Sequence, residues 1–273
     1  MGRVTQTAFD ISRADSRTID RKVVGLLFGS SAFVLNASVA VHELGHLVAD
    51  RLHGLEASLV LEPFGGSYTT LARPWPTDMS VWPIAAGPLA NMVPGTLFFL
   101  GLWRWRSPHL VPLMLWGPIA LLQEWTTALV QLGTREAGTD WVLINNAGRS
   151  SGLIIGLGVV GLIAGLAGLY LLLPATGLSP EIPLVPRLGT LVLGMGGFTG
   201  LVLGVSLLFK DSSVEVSRNL RLTVFGVLIA TLLATTYPAF SQIRRDEVME
   251  VSLRAVWISV ALGSAVLVLF LTV

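Results

Sequence analysis

The chain alternates between long apolar segments and short polar separators. About seven segments approach the 20 or so mostly apolar residues that a helix needs to cross a bilayer. They are Val23–Val48, Val81–Trp103, Leu110–Leu132, Gly152–Leu173, Leu188–Phe209, Leu222–Phe240 and Val256–Val273. The separators carry prolines, glycines and charges, and most are short, so neighbouring helices are expected to pack antiparallel. The pattern predicts an all-α, multi-pass membrane protein with about seven transmembrane helices.

One connection has a different pattern. Between Leu55 and Pro76, two short runs, Ala57–Leu61 and Ser67–Leu71, flank the sequence Pro63-Phe64-Gly65-Gly66. This arrangement predicts a β-hairpin, and a surface loop with a Gly-Gly turn is the alternative. Non-helical backbone at membrane depth is stable only when it is buried in protein or lines a wet cavity. We therefore expect the hairpin to lie at an interface or beside a functional site.

Composition strengthens the membrane interpretation. Of the 273 residues, 52% are hydrophobic and 13% are charged, and the mean hydropathy is +0.71. The formal net charge is only +1 and no extended basic face is present, which argues against a nucleic-acid partner.

Residues 1–22 form a polar tail, and the apolar run after them is too long for a cleavable signal. If the spans number seven, a weak excess of Lys and Arg favours a cytoplasmic N-terminus, and we expect an integral protein of the cell membrane.

The strongest chemical signal is the sequence His42-Glu43-Leu44-Gly45-His46 within the first apolar segment. On a helix, residues four apart share one face, so both imidazoles can bind one Zn²⁺ while Glu43 activates a water molecule at the open position. The chain has no cysteine, so nitrogen and oxygen atoms must supply the ligands. The alternative is a pair of histidines that form hydrogen bonds between helices.

The pentapeptide leaves the third metal ligand open. The metzincin continuation needs a histidine at position 52, where this chain has Leu52, and His53 comes one residue too late. His53 and His109 are expected at helix ends. The acidic candidates are Asp140, before an apolar run, and Glu124, within a predicted span. Asp140 is alternatively a helix N-cap, and Glu124 alternatively orients a ligand histidine or bonds a neighbouring helix.

Several features in order resemble the site-2 protease family of intramembrane metalloproteases, including its sporulation-factor processing branch. They are the His42–His46 motif on a predicted transmembrane helix, the sequence EPFGG at 62–66, the sequence AAGPLAN at 85–91, and the downstream Asp140. The resemblance covers roughly residues 25–150. It implies one Zn²⁺ per chain held by His42, His46 and Asp140, with Glu43 as the catalytic residue. It also implies an endopeptidase that hydrolyses bonds in or near transmembrane segments.

The third-ligand region departs from the family pattern, in which an Asn-Pro pair precedes an Asp-Gly pair. Here residues 132–141 read LGTREAGTDW. The substrate-polarising asparagine of the family therefore has no counterpart, and Asn91 is the substitute donor that we consider. Asn91 alternatively bonds only a neighbouring helix.

These interpretations divide the chain into a polar tail (1–22), a metalloprotease core (23–150) and accessory transmembrane helices (151–273). The expected partners are a transmembrane protein substrate and the lipid bilayer. Two other functions are considered: an inactive metal-binding protein with a regulatory or scaffold role, and a transporter in which Gln123, Glu124 and Asp140 line an ion path. Glu43 favours an enzyme, and the lack of a second copy of the His42–Asn91 pattern argues against a transporter.

Overall fold

A computed structural model describes residues 18–61, 67–71, 81–135, 139–209, 213–243 and 247–272. Helices dominate these residues, with a two-stranded antiparallel sheet after the first helix. The elements are α1 (Arg21–Leu52), β1 (Ala57–Val60), β2 (Tyr68–Leu71), α2 (Trp82–Leu102), α3 (Val111–Thr134), α4 (Asp140–Asn146), α5 (Ser151–Leu172), α6 (Leu184–Leu191), α7 (Gly197–Phe209), α8 (Ser213–Ile243) and α9 (Leu253–Thr272). The π-helical turn Val192–Gly196 joins α6 to α7. The predicted helical class with a small hairpin is confirmed.

The number of candidate spans is six within the described residues, and the prediction of seven is wrong. The six are Arg21–Leu52, Trp82–Trp105, Ser151–Thr176, Leu184–Leu208, Asn219–Gln242 and Leu253–Phe270. The predicted segment Leu110–Leu132 does form a helix, α3, but α3 is not among them. The chain is thus a multi-pass membrane protein whose third long helix differs from the others.

Helix α3 is less apolar than the six candidate spans because polar residues lie in its middle turns, and it packs against α1, α2 and α5. Eleven of its 24 residues are buried, including Glu124, and Gln123, Thr126 and Thr127 lie beside that carboxylate. Polar side chains are tolerated in a membrane when they face other helices or a cavity. A helix enclosed in this way does not need a uniformly apolar surface.

Helix α1 is the scaffold of the bundle. It begins after Asp20, whose carboxylate accepts hydrogen bonds from the backbone N–H groups of Lys22 (2.9 Å) and Val23 (3.2 Å). Its first half packs against α9, where a Cβ on Gly29 would lie 2.6 Å from the backbone nitrogen of Val260. Its second half packs against α2, where a Cβ on Gly45 would lie 2.5 Å from the carbonyl oxygen of Ala86. These close contacts fix the position of the His42–His46 segment.

The hairpin lies against the C-terminal half of α1, as expected from its sequence. Its strands pair Ala57 with Leu71 and Val60 with Tyr68. Arg51, in the last turn of α1, donates a hydrogen bond to the carbonyl oxygen of Ala57 at 3.2 Å. The predicted turn, including the Glu62–Gly66 sequence, lies outside the described residues. Residues 1–17 of the predicted polar tail also lie outside them.

The C-terminal helices are tied together by a buried arginine. Arg187 on α6 is 5% exposed. Its guanidinium donates to the carbonyl oxygens of Ala234 on α8 (2.7 Å), Pro180 (2.7 Å) and Ile182 (2.9 Å). Hydrogen bonds from a charged donor to carbonyl oxygens offset the cost of its burial. The contacts join α6 to α8, and α8 in turn packs along α7.

Candidate metal centre

Three side chains from distant parts of the sequence meet at one point. His42 and His46 lie one turn apart on α1, and Asp140 is the first residue of α4. The Nε2 atoms of the two histidines are 3.2 Å apart. The Oδ2 atom of Asp140 lies 3.0 Å from Nε2 of His42 and 3.3 Å from Nε2 of His46. Together they form a group that can hold a metal ion.

The dimensions of this triangle fit a tetrahedral ion. Ligand bonds of about 2.0–2.1 Å at tetrahedral angles place ligand atoms about 3.3 Å apart. The three sides measured here are 3.0, 3.2 and 3.3 Å. The spacing of the three atoms is therefore close to that of three corners of a coordination tetrahedron, whose fourth corner would be left for water or substrate.

Hydrogen bonds on the far side of each ring indicate which ring nitrogens carry protons. Nδ1 of His42 is 2.9 Å from Oε1 of Glu124, and Nδ1 of His46 is 2.8 Å from the carbonyl oxygen of Pro83. Both partners are acceptors, so each Nδ1 is assigned as the donor, and each neutral ring presents a lone pair at Nε2. If both rings are neutral, the lone pairs on the two Nε2 atoms and on Oδ2 of Asp140 face one another and repel. A cation at their centre relieves this repulsion.

Glu124 belongs to a chain of buried hydrogen bonds behind His42. Its Oε1 accepts from Nδ2 of Asn91 at 2.7 Å, and Oδ1 of Asn91 accepts from Nε1 of Trp116 at 2.9 Å. Asn91 is fully buried, and the Glu124 side chain is 5% exposed. The geometry therefore brings Asp140, and not Glu124, to the Nε2 atoms, while Glu124 and Asn91 orient the ring of His42.

Asp140 is placed by the packing of α4 on α3. The ring of Trp141 lies against that of Trp125, with centroids 4.8 Å apart. The backbone N–H of Trp141 donates to Oε1 of Gln131 at 3.3 Å. Thr139 is the N-cap of α4, so Asp140 does not take the N-cap position considered from the sequence. Burial raises the pKa of Asp140, but hydrogen bonds from His42 and His46, when their rings are protonated, outweigh it and hold that pKa well below its usual range. Asp140 is thus ionised, the form in which a carboxylate binds a metal ion.

Glu43 lies between the two histidines in sequence and is held by the hairpin. The hydroxyl of Thr69 on β2 lies 3.1 Å from Oε2 of Glu43 and 3.0 Å from its backbone oxygen. The sequence did not indicate Thr69 as a residue of the site, because its contact with Glu43 joins positions 26 residues apart and leaves no local pattern. The hairpin thus orients the carboxylate of Glu43, which the sequence predicts to be the catalytic group.

Of the three side chains of the metal-ligand cluster, His42 and Asp140 line a cavity of about 600 Å³. The cavity is lined by residues of α1, α3, α4, α7, α8 and α9 and of the hairpin, among them His42, Glu43, Tyr68, Asp140 and Phe198. Helices that the sequence assigned to an accessory unit, α7 and α8, therefore share a wall of the same cavity as the metal ligands. By contrast, His53 and His109 lie exposed at helix ends, away from this cluster.

Gly87 is a packing requirement of the site that the sequence did not reveal. A Cβ at this position would overlap the imidazole ring of His46. The glycine lets the backbone of α2 approach closely enough for the Pro83 carbonyl to bond that ring. The sequence shows a glycine within the Ala85–Asn91 segment, but it does not show that this glycine contacts His46.

Replacing Gly87 with alanine is expected to weaken metal binding about 10- to 100-fold, the range produced when groups that orient a ligand are altered. The added methyl must displace the His46 ring, because the backbone of α2 cannot move away without separating from Gly45. Competition with a chelator measures the effect. The matched control is Gly101→Ala on the same helix, where nothing lies within 4 Å of the added carbon. Equal affinities for the two variants would show that the packing around His46 does not matter.

No protein-family model matches the chain, and neither curated proteins nor solved structures show a match to it. Function is therefore inferred from the chemistry of the site itself.

Proposed function

We propose that this protein is an intramembrane zinc endopeptidase that hydrolyses peptide bonds in or near transmembrane segments. The observation that carries the proposal is the convergence of His42, His46 and Asp140, beside the carboxylate of Glu43, in a cavity of a multi-pass membrane protein. The resemblance of the His42–His46 motif and its flanking segments to site-2 proteases supports the same conclusion. We place the enzyme in the cell membrane.

Zinc is the metal that best suits this donor set. Two imidazoles and one carboxylate, with a fourth position left free, form the type of site that catalytic zinc uses. Hard cations such as Mg²⁺ and Ca²⁺ prefer six or more oxygen ligands, which this group does not provide. The acceptors behind both histidines further favour neutral rings that bind through Nε2.

When bound, Zn²⁺ supplies Lewis acidity that lowers the pKa of water to about 7 and polarises a substrate carbonyl. The carboxylate of Glu43 accepts a proton from the attacking water and transfers it to the amine nitrogen that leaves when the C–N bond breaks. Thr69 holds that carboxylate in place through its hydroxyl. Glu124, oriented by Asn91, holds the ring of His42.

The surroundings of the site favour an apolar substrate. Most of the side chains of α1, α7 and α8 that form the cavity walls away from the ligands are apolar, including Val34, Phe198 and Phe225. The polar ones are Ser31, Asn36, Thr199, Asn219 and Arg221. An adjoining groove of about 440 Å³ between α3, α5 and α8 is almost wholly apolar and shares Phe225 and Ile229 with the cavity. These walls suit a membrane segment better than a polar peptide.

Metal removal tests the proposal. The purified protein is reconstituted in lipid vesicles with a panel of single-span peptides, and cleavage is followed by mass spectrometry. Treatment with 1,10-phenanthroline is expected to abolish cleavage, because only the ion supplies the Lewis acid, and one equivalent of Zn²⁺ is expected to restore it. Equal cleavage with and without metal, or no cleavage of any peptide by the zinc-loaded protein, would contradict the proposal.

A further inference from the structure

Asn36 places a polar side chain at the midpoint of the helix that carries two of the metal ligands. It is the sixteenth of the 32 residues of α1, and only 6% of its surface is exposed. A polar group at the centre of a membrane span costs free energy unless its hydrogen bonds are satisfied, and such groups commonly have a function. The contacts of the Asn36 amide therefore bear on its role.

Only one end of the Asn36 amide has a partner among the described residues. Its Nδ2 donates to the carbonyl oxygen of Ala32, one turn earlier on α1, at 2.7 Å. This bond assigns the other end of the amide as the oxygen, Oδ1. Oδ1 accepts no hydrogen bond in the described part of the chain, yet it is not among the unpaired atoms that are sealed from solvent. It therefore keeps accessible surface, and the open space beside Asn36 is the cavity that this residue lines.

Asn36 lines this cavity at a greater membrane depth than the proposed general base, Glu43. The two residues are seven positions apart on α1, which is close to two helical turns, so they lie on nearly the same face. The rise along the helix axis between them is about 10 Å. Because Asn36 is at the midpoint of the span, a substrate that extends from the metal ligands toward the centre of the membrane passes Asn36.

The chemistry of Oδ1 limits what it can recognise. A carbonyl oxygen only accepts, so the ligand must donate an N–H or O–H group. The backbone N–H groups of a transmembrane helix are already bonded within that helix, and apolar side chains have no donor. The neighbours of Asn36 on α1 that line the cavity, Val34, Leu35 and Val39, are apolar. An acceptor in such surroundings discriminates against a ligand without a donor, because the acceptor then stays unpaired.

We propose that Asn36 selects the substrate by accepting a hydrogen bond from an Asn, Gln, Ser or Thr side chain within the substrate's membrane span. This inference rests on the proposed endopeptidase function and names its substrate class. Asn91, considered from the sequence as a substrate contact, is instead committed to Glu124 and Trp116. A separation of about 10 Å corresponds to about three residues of extended chain or about seven of helix. The donor is thus expected about three to seven positions from the bond that is cut, on the side of the membrane centre.

The test is a competition between two single-span peptides in the same vesicles. One has an entirely apolar span, and the other has one Asn in that span, which is moved one position at a time. The wild type is expected to prefer the Asn peptide by a factor of about 2 to 12 in kcat/KM, the range for one hydrogen bond, at an optimum within the expected positions. Because both peptides compete in one sample, this ratio does not depend on how much of the protein is folded.

Variants of Asn36 assign the preference to this residue. Asn36→Leu, which has a similar size and no acceptor, is expected to lose the preference, and Asn36→Gln, which keeps the acceptor, is expected to retain one. The matched control is Ser38→Ala on the same helix, which removes a buried hydroxyl that is not part of the cavity lining. Its preference is expected to equal that of the wild type.

Equal cleavage of both peptides at every position of the Asn would overturn the inference while the protease stands, because Oδ1 would then meet only water or a backbone N–H. A preference that survives Asn36→Leu would overturn it as well. A second measurement does not need cleavage: the affinity of fluorescent forms of both peptides for the Glu43→Gln protein, followed by energy transfer in vesicles. An Asn36-dependent preference in binding, with no cleavage by the zinc-loaded wild type, would support the recognition site and refute the protease. Neither cleavage nor a preference in binding would refute both.

Discussion

Replacing Glu43 with glutamine is expected to abolish peptide cleavage while Zn²⁺ stays bound. The amide is nearly the same size as the carboxylate and still accepts the hydrogen bond from Thr69, but it cannot take a proton from water. Loss of a general base lowers kcat by about 10²- to 10⁴-fold. Single-turnover cleavage of a reconstituted single-span peptide, with zinc content measured on the same sample, provides the test.

The control for this substitution is Glu56→Gln, on the exposed connection between α1 and the hairpin. It removes the same charge without touching the cavity, so its kcat is expected to equal that of the wild type. Cleavage by the Glu43→Gln variant within about threefold of the wild type would remove Glu43 from the mechanism.

Replacing Asp140 with alanine is expected to reduce bound zinc from one ion per chain to a small fraction. Asp140 supplies the only carboxylate oxygen near both Nε2 atoms among the described residues, and a site with two histidines alone holds zinc weakly. Metal analysis after purification in the presence of a weak chelator measures the loss. Cleavage is expected to fall with the metal.

The matched control is Glu124→Gln, which changes the other acidic candidate. Because Glu124 contacts Nδ1 of His42 and not the Nε2 position, its loss is expected to weaken zinc affinity only about 10- to 100-fold. Stoichiometric zinc would therefore still bind at high metal concentration. The opposite order, with zinc retained in Asp140→Ala and lost in Glu124→Gln, would transfer the third-ligand role to Glu124.

The local features of the site could be predicted from the sequence. Helical spacing alone places His42 and His46 on one face, and alternation around a Gly-Gly turn indicates the hairpin. Both features depend on residues close in the chain, which is why a single sequence reveals them. The bounds of α1 differ from the predicted Val23–Val48 because polar residues extend the helix at each end.

The long-range features of the site could not be predicted in the same way. The residues alone left both Asp140 and Glu124 as candidates for the third ligand. The choice depends on which nitrogen of His42 each carboxylate meets, across more than 80 positions of sequence. Gly87 and Thr69 act through contacts with His46 and Glu43 that no periodicity encodes. The count of spans was wrong because α3, with Gln123, Glu124 and Gln131, is less apolar than the six candidate spans. Its packing against α1, α2 and α5 accounts for these polar residues.

We propose that one metal ion is held jointly by His42, His46 and Asp140. Zinc K-edge X-ray absorption of the purified, zinc-loaded protein tests it most directly. We expect four nitrogen or oxygen ligands at about 2.0–2.1 Å, with the outer-shell scattering of two imidazoles, and loss of one oxygen ligand or of the metal itself in the Asp140→Ala variant. A wild-type spectrum with no imidazole scattering, or one that the Asp140→Ala substitution leaves unchanged at full zinc occupancy, would contradict the claim.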